Sequence, residues 1–121
     1  METTTVNPMT PRPRPDMLVG ATVKIMTAHG ALYLTVNRDD TDQPFEVFAT
    51  LGRAGGCEGA FVEAIGRLVS LALRSGVAHE ELIKQLAGIR CGHQHGEGAD
   101  AVLSGADAIA KGMQRVLKGT T

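Results

Sequence analysis

Apolar and polar residues alternate through the first third of the chain. In "GATVKIM", Ala21, Val23 and Ile25 fall on one side against Thr22, Lys24 and Met26 on the other, the period of a half-buried strand. His29 and Gly30 supply a turn, and "ALYLTVN" follows with Leu32, Leu34 and Val36 set against Tyr33 and Thr35, so the pair reads as a β-hairpin. The polar run "RDDTDQP" ends the second strand. "FEVFATL" gives a third, with Phe45, Val47 and Ala49 on one face.

From Glu58 onward the period changes to that of a helix. Phe61, Ile65, Leu68 and Ala72 form one stripe, and Val62, Val69 and Leu73 widen it until the helix is apolar over most of its circumference. Such a helix is expected inside the fold or in a dimer contact. Gly76 stands where a C-terminal cap belongs. Val77 and Leu82 can staple a short second helix, "HEELIKQL", with Leu82, Ile83 and Leu86 inward and its end at Gly88. Ser104 and Asp107 have capping-box spacing ahead of a third helix, whose inward stripe is Ile109, Met113 and Val116. Gly112 within that helix implies close approach to another element. The order β-β-β-α-α-α predicts an α+β domain: a three-stranded antiparallel sheet followed by three helices packed on one face.

Composition narrows what such a domain can do. With 121 residues, 43% hydrophobic and 21% charged, the chain fits one small domain with a modest core. Residues 1–16 are rich in Thr, Pro and Arg and read as a flexible tail, poorly ordered unless docked; residues 17–118 form the domain. Three Phe, one Tyr and no Trp leave no stacking platform for single-stranded nucleic acid. A net charge of −1 gives no basic field for phosphate backbones. No stretch reaches the ~18 apolar residues of a membrane span, and no signal-peptide pattern is present, so a cytoplasmic protein with free thiols at Cys57 and Cys91 is expected.

Two stretches carry candidate chemistry. "LGRAGGCEG", residues 51–59, joins a strand to a helix start through glycines and one Arg, the parts of an anion or nucleotide-phosphate site built on Gly52, Arg53, Gly55 and Gly56. The G-K-[ST] ending of a P-loop is absent. A tight turn at positive φ needs the same glycines. Cys57 at the helix start reads first as buried and inert, with a dipole-activated thiol as the alternative. In "RCGHQHGEG", residues 90–98, Cys91, His93 and His95 offer one thiolate and two imidazoles within five residues, donors that suit zinc. A fourth ligand has to come from elsewhere, with His29, His79, Asp100 and Cys57 as candidates. Standard zinc spacings are missing, and glycines at 92, 96 and 98 equally describe a polar loop.

"RPRPDMLVGATVKIMTAHGALYLTVN", "PFEVFATLGRAGG", "AIGRLVSLALRSG", "LAGIRC" and "SGADAIAKGM" occur in this order between Arg12 and Leu117. In that order they resemble the TSCPD domain, which is similar to the C-terminal module of adenosylcobalamin-dependent (class II) ribonucleotide reductases and also exists as a stand-alone protein. The resemblance implies that Arg12 to Pro15 match the linker following the catalytic barrel. It places the name-giving motif on Leu103 to Asp107, with Ser104 and Asp107 kept and Gly105 and Ala106 in place of Cys and Pro. The Cys of "GIRC" is Cys91. Neither the barrel nor its radical-forming cysteine fits in this length, so the expectation is a non-catalytic accessory module that forms a homodimer and binds a larger protein partner. The alternative is a participant in ribonucleoside-diphosphate reduction that binds nucleotide at "GRAGG".

Overall fold

The alternating segments pair as one antiparallel sheet, in the order β1 (Val19–Thr27), β2 (Gly30–Arg38) and β3 (Pro44–Leu51). The structure, a computed structural model, describes residues 8–52 and 56–118. Because side chains alternate faces, the registers Val23↔Leu34↔Ala49 and Ile25↔Leu32↔Leu51 collect the apolar members of all three strands on one side. Leu32, Leu34, Val36, Val47 and Ala49 are buried there. A two-residue turn, Ala28 and His29, joins β1 to β2.

Three helices follow: α1 (Cys57–Arg74), α2 (His79–Leu86) and α3 (Gly105–Lys118), with one 3-10 turn at Gly98–Asp100 between the last two. The α+β order expected from the sequence is the observed one. Helix α3 covers the apolar face, burying Ile109, Met113 and Val116 against the sheet. Its Gly112 lies so close that a Cβ there would stand 2.7 Å from Leu34 Cδ2 and 3.4 Å from Val23 Cγ2. Helix α2 packs on α3 through the buried Ile83.

Helix α1 lies along β3, one of the two edge strands of the sheet. The Ser70 hydroxyl accepts the Val47 N–H at 2.9 Å and donates to the Val47 carbonyl at 2.9 Å. An open edge invites another strand to pair with it; here a helix side chain satisfies both groups of one residue. Position 66 is glycine where the helix backbone comes nearest, and a Cβ would touch the Ala49 nitrogen at 3.5 Å. The inward stripe is consequently Val62, Gly66, Val69 and Leu73. Phe61 and Leu68, on the apolar stripe expected inside the fold or in a dimer contact, are 64% and 66% exposed. A helix apolar almost all round carries no period that selects a face; the Ser70 bonds to Val47 fix which side meets β3. The helix ends at Gly76, φ 96°, with Gly76 N–H on the Leu73 carbonyl and Val77 N–H on that of Ala72, the Schellman pattern.

Asp107 is the buried polar centre of the helical half. Its Oδ1 accepts Gly88 N–H at 2.9 Å, and its Oδ2 accepts Leu103 N–H at 3.0 Å and Lys111 Nζ at 2.8 Å. Its own N–H donates to Ser104 Oγ at 3.0 Å, and that hydroxyl donates to the Ile89 carbonyl at 2.6 Å. The capping role of Ser104 is present, while Asp107 reaches Leu103 and Gly88 rather than only the helix end. Burial alone would raise the Asp107 pKa; the Gly88 N–H, Lys111 and the Leu103 N–H outweigh it and hold the carboxyl below its ordinary value.

The Pro/Arg segment docks along β3 and the last turn of α1. Arg12 N–H reaches the Arg74 carbonyl, Arg74 Nε returns a bond to the Arg12 carbonyl, and both guanidinium groups lie over the Phe45 ring. Arg12 also pairs with Asp39 at 3.0 Å. Arg14 makes a two-pronged pair with Glu46, Nε to Oε1 and Nη2 to Oε2 both at 3.0 Å, and Asn37 donates to Oε2 at 2.7 Å. Glu46 is thereby buried on the strand's outward side. Here too burial works to raise the carboxyl pKa, and Arg14, Asn37 and the charge of Arg74 lower it further than burial raises it.

Glu46 and Asp107 both have folded pKa values below their unfolded ones, so in the acid range the unfolded chain binds more protons and stability rises with pH. Their contribution is complete above the unfolded carboxylate range, about pH 4, and is lost as pH falls below it through the folded values. Melting temperature measured from pH 7 downward should therefore drop most steeply below about pH 4, and Glu46→Gln should flatten that drop. Asp107→Ala strands two backbone donors and a Lys; a loss of roughly 2–4 kcal/mol in urea unfolding is expected.

Candidate functional site

Thr27 fixes the tip of the β1–β2 hairpin. Its buried hydroxyl donates to the Gly30 carbonyl at 2.8 Å and accepts His29 N–H at 3.0 Å. That sets the His29 ring at the end of the sheet, facing the loop between α2 and α3. The loop has its own short ladder: Cys91 N–H bonds the Leu103 carbonyl at 3.2 Å, and His95 and Val102 exchange N–H···O bonds at 2.9 Å. Cys91 Sγ consequently stands 3.3 Å from His29 Nε2, and the His93 ring packs edge-on to His29 with centroids 5.9 Å apart. One donor atom each from His29, Cys91 and His93 lies within 4.8 Å of the other two.

The sequence pointed to Cys91, His93 and His95. The first two are brought together; the His95 backbone pairs with Val102, and its side chain is not in the cluster. His29, one of four candidates for a further ligand, is. Sixty-two residues separate it from Cys91, so no local spacing could have selected it over the others. His79 instead faces Glu80, 3.5 Å away. Glu58 in the first turn of α1 places Oε2 3.9 Å from His29 Nε2.

A Cys–His pair also suggests nucleophilic catalysis, which needs an orienting acceptor on the other ring nitrogen. Here Cys91 Sγ and Glu58 Oε2 both approach Nε2. Several donors converging on one point suit a shared cation. The donor set of one thiolate, two imidazoles and a neighbouring carboxylate is the kind zinc takes.

At the Gly-rich turn, Gly52 and Gly56 are in place, while Arg53 and Gly55 lie outside the described residues. Gly56 has φ 85° and ψ 162°, a combination essentially restricted to glycine. The tight-turn reason for this glycine is thus present. Cys57, read from sequence first as buried, is exposed at the first position of α1. The outward side of α1 carries Phe61, Leu68 and Leu71, with Phe48 of β3 beside Leu71 in one groove. None of the described helices is long and apolar enough to cross a membrane.

A helix-covered three-stranded sheet with a thiol–imidazole cluster at the hairpin tip defines a small α+β domain. The chain belongs to the TSCPD domain family, whose family model matches residues 5–117. No curated protein and no solved structure matches it. A Cβ at Gly105 would come within 2.9 Å of Val62 Cγ2, so the α1–α3 contact in this chain is built on the missing side chain.

Gly56→Val should lower stability by about 1–3 kcal/mol. Among the described residues no neighbour lies within 4 Å of the added Cβ, so the expected loss comes from backbone strain at this φ. Chemical denaturation checks it, with Gly59→Ala, inside the first helical turn, expected to be neutral or stabilising.

Proposed function

We propose that the chain is a non-catalytic accessory module, similar to the C-terminal module of class II ribonucleotide reductases, that self-associates through the outward face of α1 and, as a dimer, docks on a larger protein partner. The observation that carries this reading is the exposed stripe itself. Phe61, Ala64, Leu68 and Leu71 recur at helical spacing, with Leu71 48% exposed and Phe48 54% exposed alongside. Scattered apolar residues on a surface need no explanation, but a contiguous row is the mark of an interface.

The occupant best matched to the row is a second copy of the same face. Glu63 and Arg67 flank it and pair with each other at 2.8 Å. In a two-fold, antiparallel pairing of two α1 helices each Glu63 would meet the other copy's Arg67, so the rim is self-complementary. Nucleic acid is a poorer match: Arg12 and Arg14, the basic residues of the leading segment, are engaged by Asp39 and Glu46. Nucleotide binding at "GRAGG" is opposed by Glu58, which puts a negative charge in the first turn of α1.

Light scattering on a size-exclusion column tests the reading. The wild type is expected to run as a dimer at high micromolar concentration, and Leu68→Glu as a folded monomer whose melting temperature matches that of wild type diluted until it is monomeric, since the side chain is 66% exposed. A wild type that is strictly monomeric at that concentration overturns it.

A further inference from the structure

We infer that His29, Cys91 and His93 form a binding site for a single zinc ion, with Glu58 closing the fourth position. The site ties the hairpin tip to the α2–α3 loop and to the start of α1.

The spacing fits the chemistry. Zinc bonds of roughly 2.0–2.3 Å to nitrogen, oxygen and sulfur place neighbouring ligands of a tetrahedron about 3.3–3.8 Å apart. His29 Nε2 is 3.3 Å from Cys91 Sγ and 3.9 Å from Glu58 Oε2, and His93 is within 4.8 Å of the first two ligands. His29, Cys91 and His93 already surround one point, whereas the Glu58 carboxylate approaches only His29 and has to swing in from the first turn of α1 to complete the four. The backbone around each is already held: His29 by Thr27, Cys91 by the Leu103 carbonyl, and the loop beyond by the His95–Val102 bridge. Such preorganisation by neighbouring hydrogen bonds is what orients ligands in metal sites.

Apart from its backbone bonds to Leu103 and Val102 and the closure at its base, the loop has little to hold it. Every residue from Ala87 to Asp100 is exposed, so no apolar burial holds its outer part, and Cys91 and His93 are the side chains that reach across to the sheet. A metal there supplies the tie that a core would otherwise provide. The inference is independent of the pairing of α1, whose stripe uses none of these residues.

Protein prepared without a histidine tag, stripped with chelator and titrated with Zn²⁺, should take up one ion per chain. Its melting temperature should rise by at least about 5 °C at saturation. Co²⁺ in its place should give a thiolate charge-transfer band and the intense visible absorption of a four-coordinate site. Cys91→Ser and His29→Ala should each weaken zinc by more than about 100-fold, beyond what outer-shell changes cost, and Glu58→Gln by about 10-fold. His95→Ala should leave affinity unchanged. Melting of the metal-free variants at the wild-type apo temperature shows that they are folded. Uptake well below one ion per chain, a cobalt spectrum without the thiolate band, or His95→Ala matching His29→Ala would overturn the site. Unchanged affinity in Glu58→Gln would remove the carboxylate from it.

Discussion

One carboxylate sets the geometry of the helical half. Asp107 receives N–H groups from Gly88 and Leu103, the residues at the two ends of the long loop, and so closes that loop at its base. Ser104, which caps α3, bonds back to Ile89 and doubles the closure. Buried and satisfied on every side, such a group is costly to disturb, because each donor it serves would be left without water or partner. The positions of α2, the start of α3 and the reach of Cys91 and His93 toward the hairpin all follow from it.

The sheet is governed by a second constraint, its edge. A three-stranded sheet leaves β3 with unpaired backbone groups, and Ser70 meets those of Val47, with Gly66 one turn earlier on the same side of α1. That contact fixes the rotation of α1 about its own axis. Val62, Val69 and Leu73 go inward, and an almost equally apolar side is left facing out. The exposed row is therefore a consequence of how the edge was covered, and the sequence retains Phe and Leu there although the fold does not bury them.

Charge is handled by pairing close to home. Arg14 covers Glu46 on the outward side of the sheet, with Asn37 completing the carboxylate's bonds, while Arg12 and Arg74 bracket Phe45. Alternation alone assigns Glu46 to solvent, because it sits between inward-facing Phe45 and Val47. Its burial comes from a segment more than thirty residues earlier in the chain. Pairs of this kind leave no trace in local pattern.

What the sequence determined by itself was local: three strands and their inward faces, the helix order, the Gly76 cap, the Ser104–Asp107 cap, and the close approach at Gly112. Each rests on interactions within a few residues or on the two periodicities, 2.0 and 3.6, that the backbone imposes. Tertiary structure alone decided which side of α1 is core, that Arg12 and Arg14 dock, and that His29 rather than His95 meets Cys91 and His93. Those outcomes depend on where separate elements come to rest. A histidine at a hairpin tip and a cysteine sixty-two residues later acquire a common chemistry only when sheet register and the Asp107 closure bring the two loops to the same end of the domain.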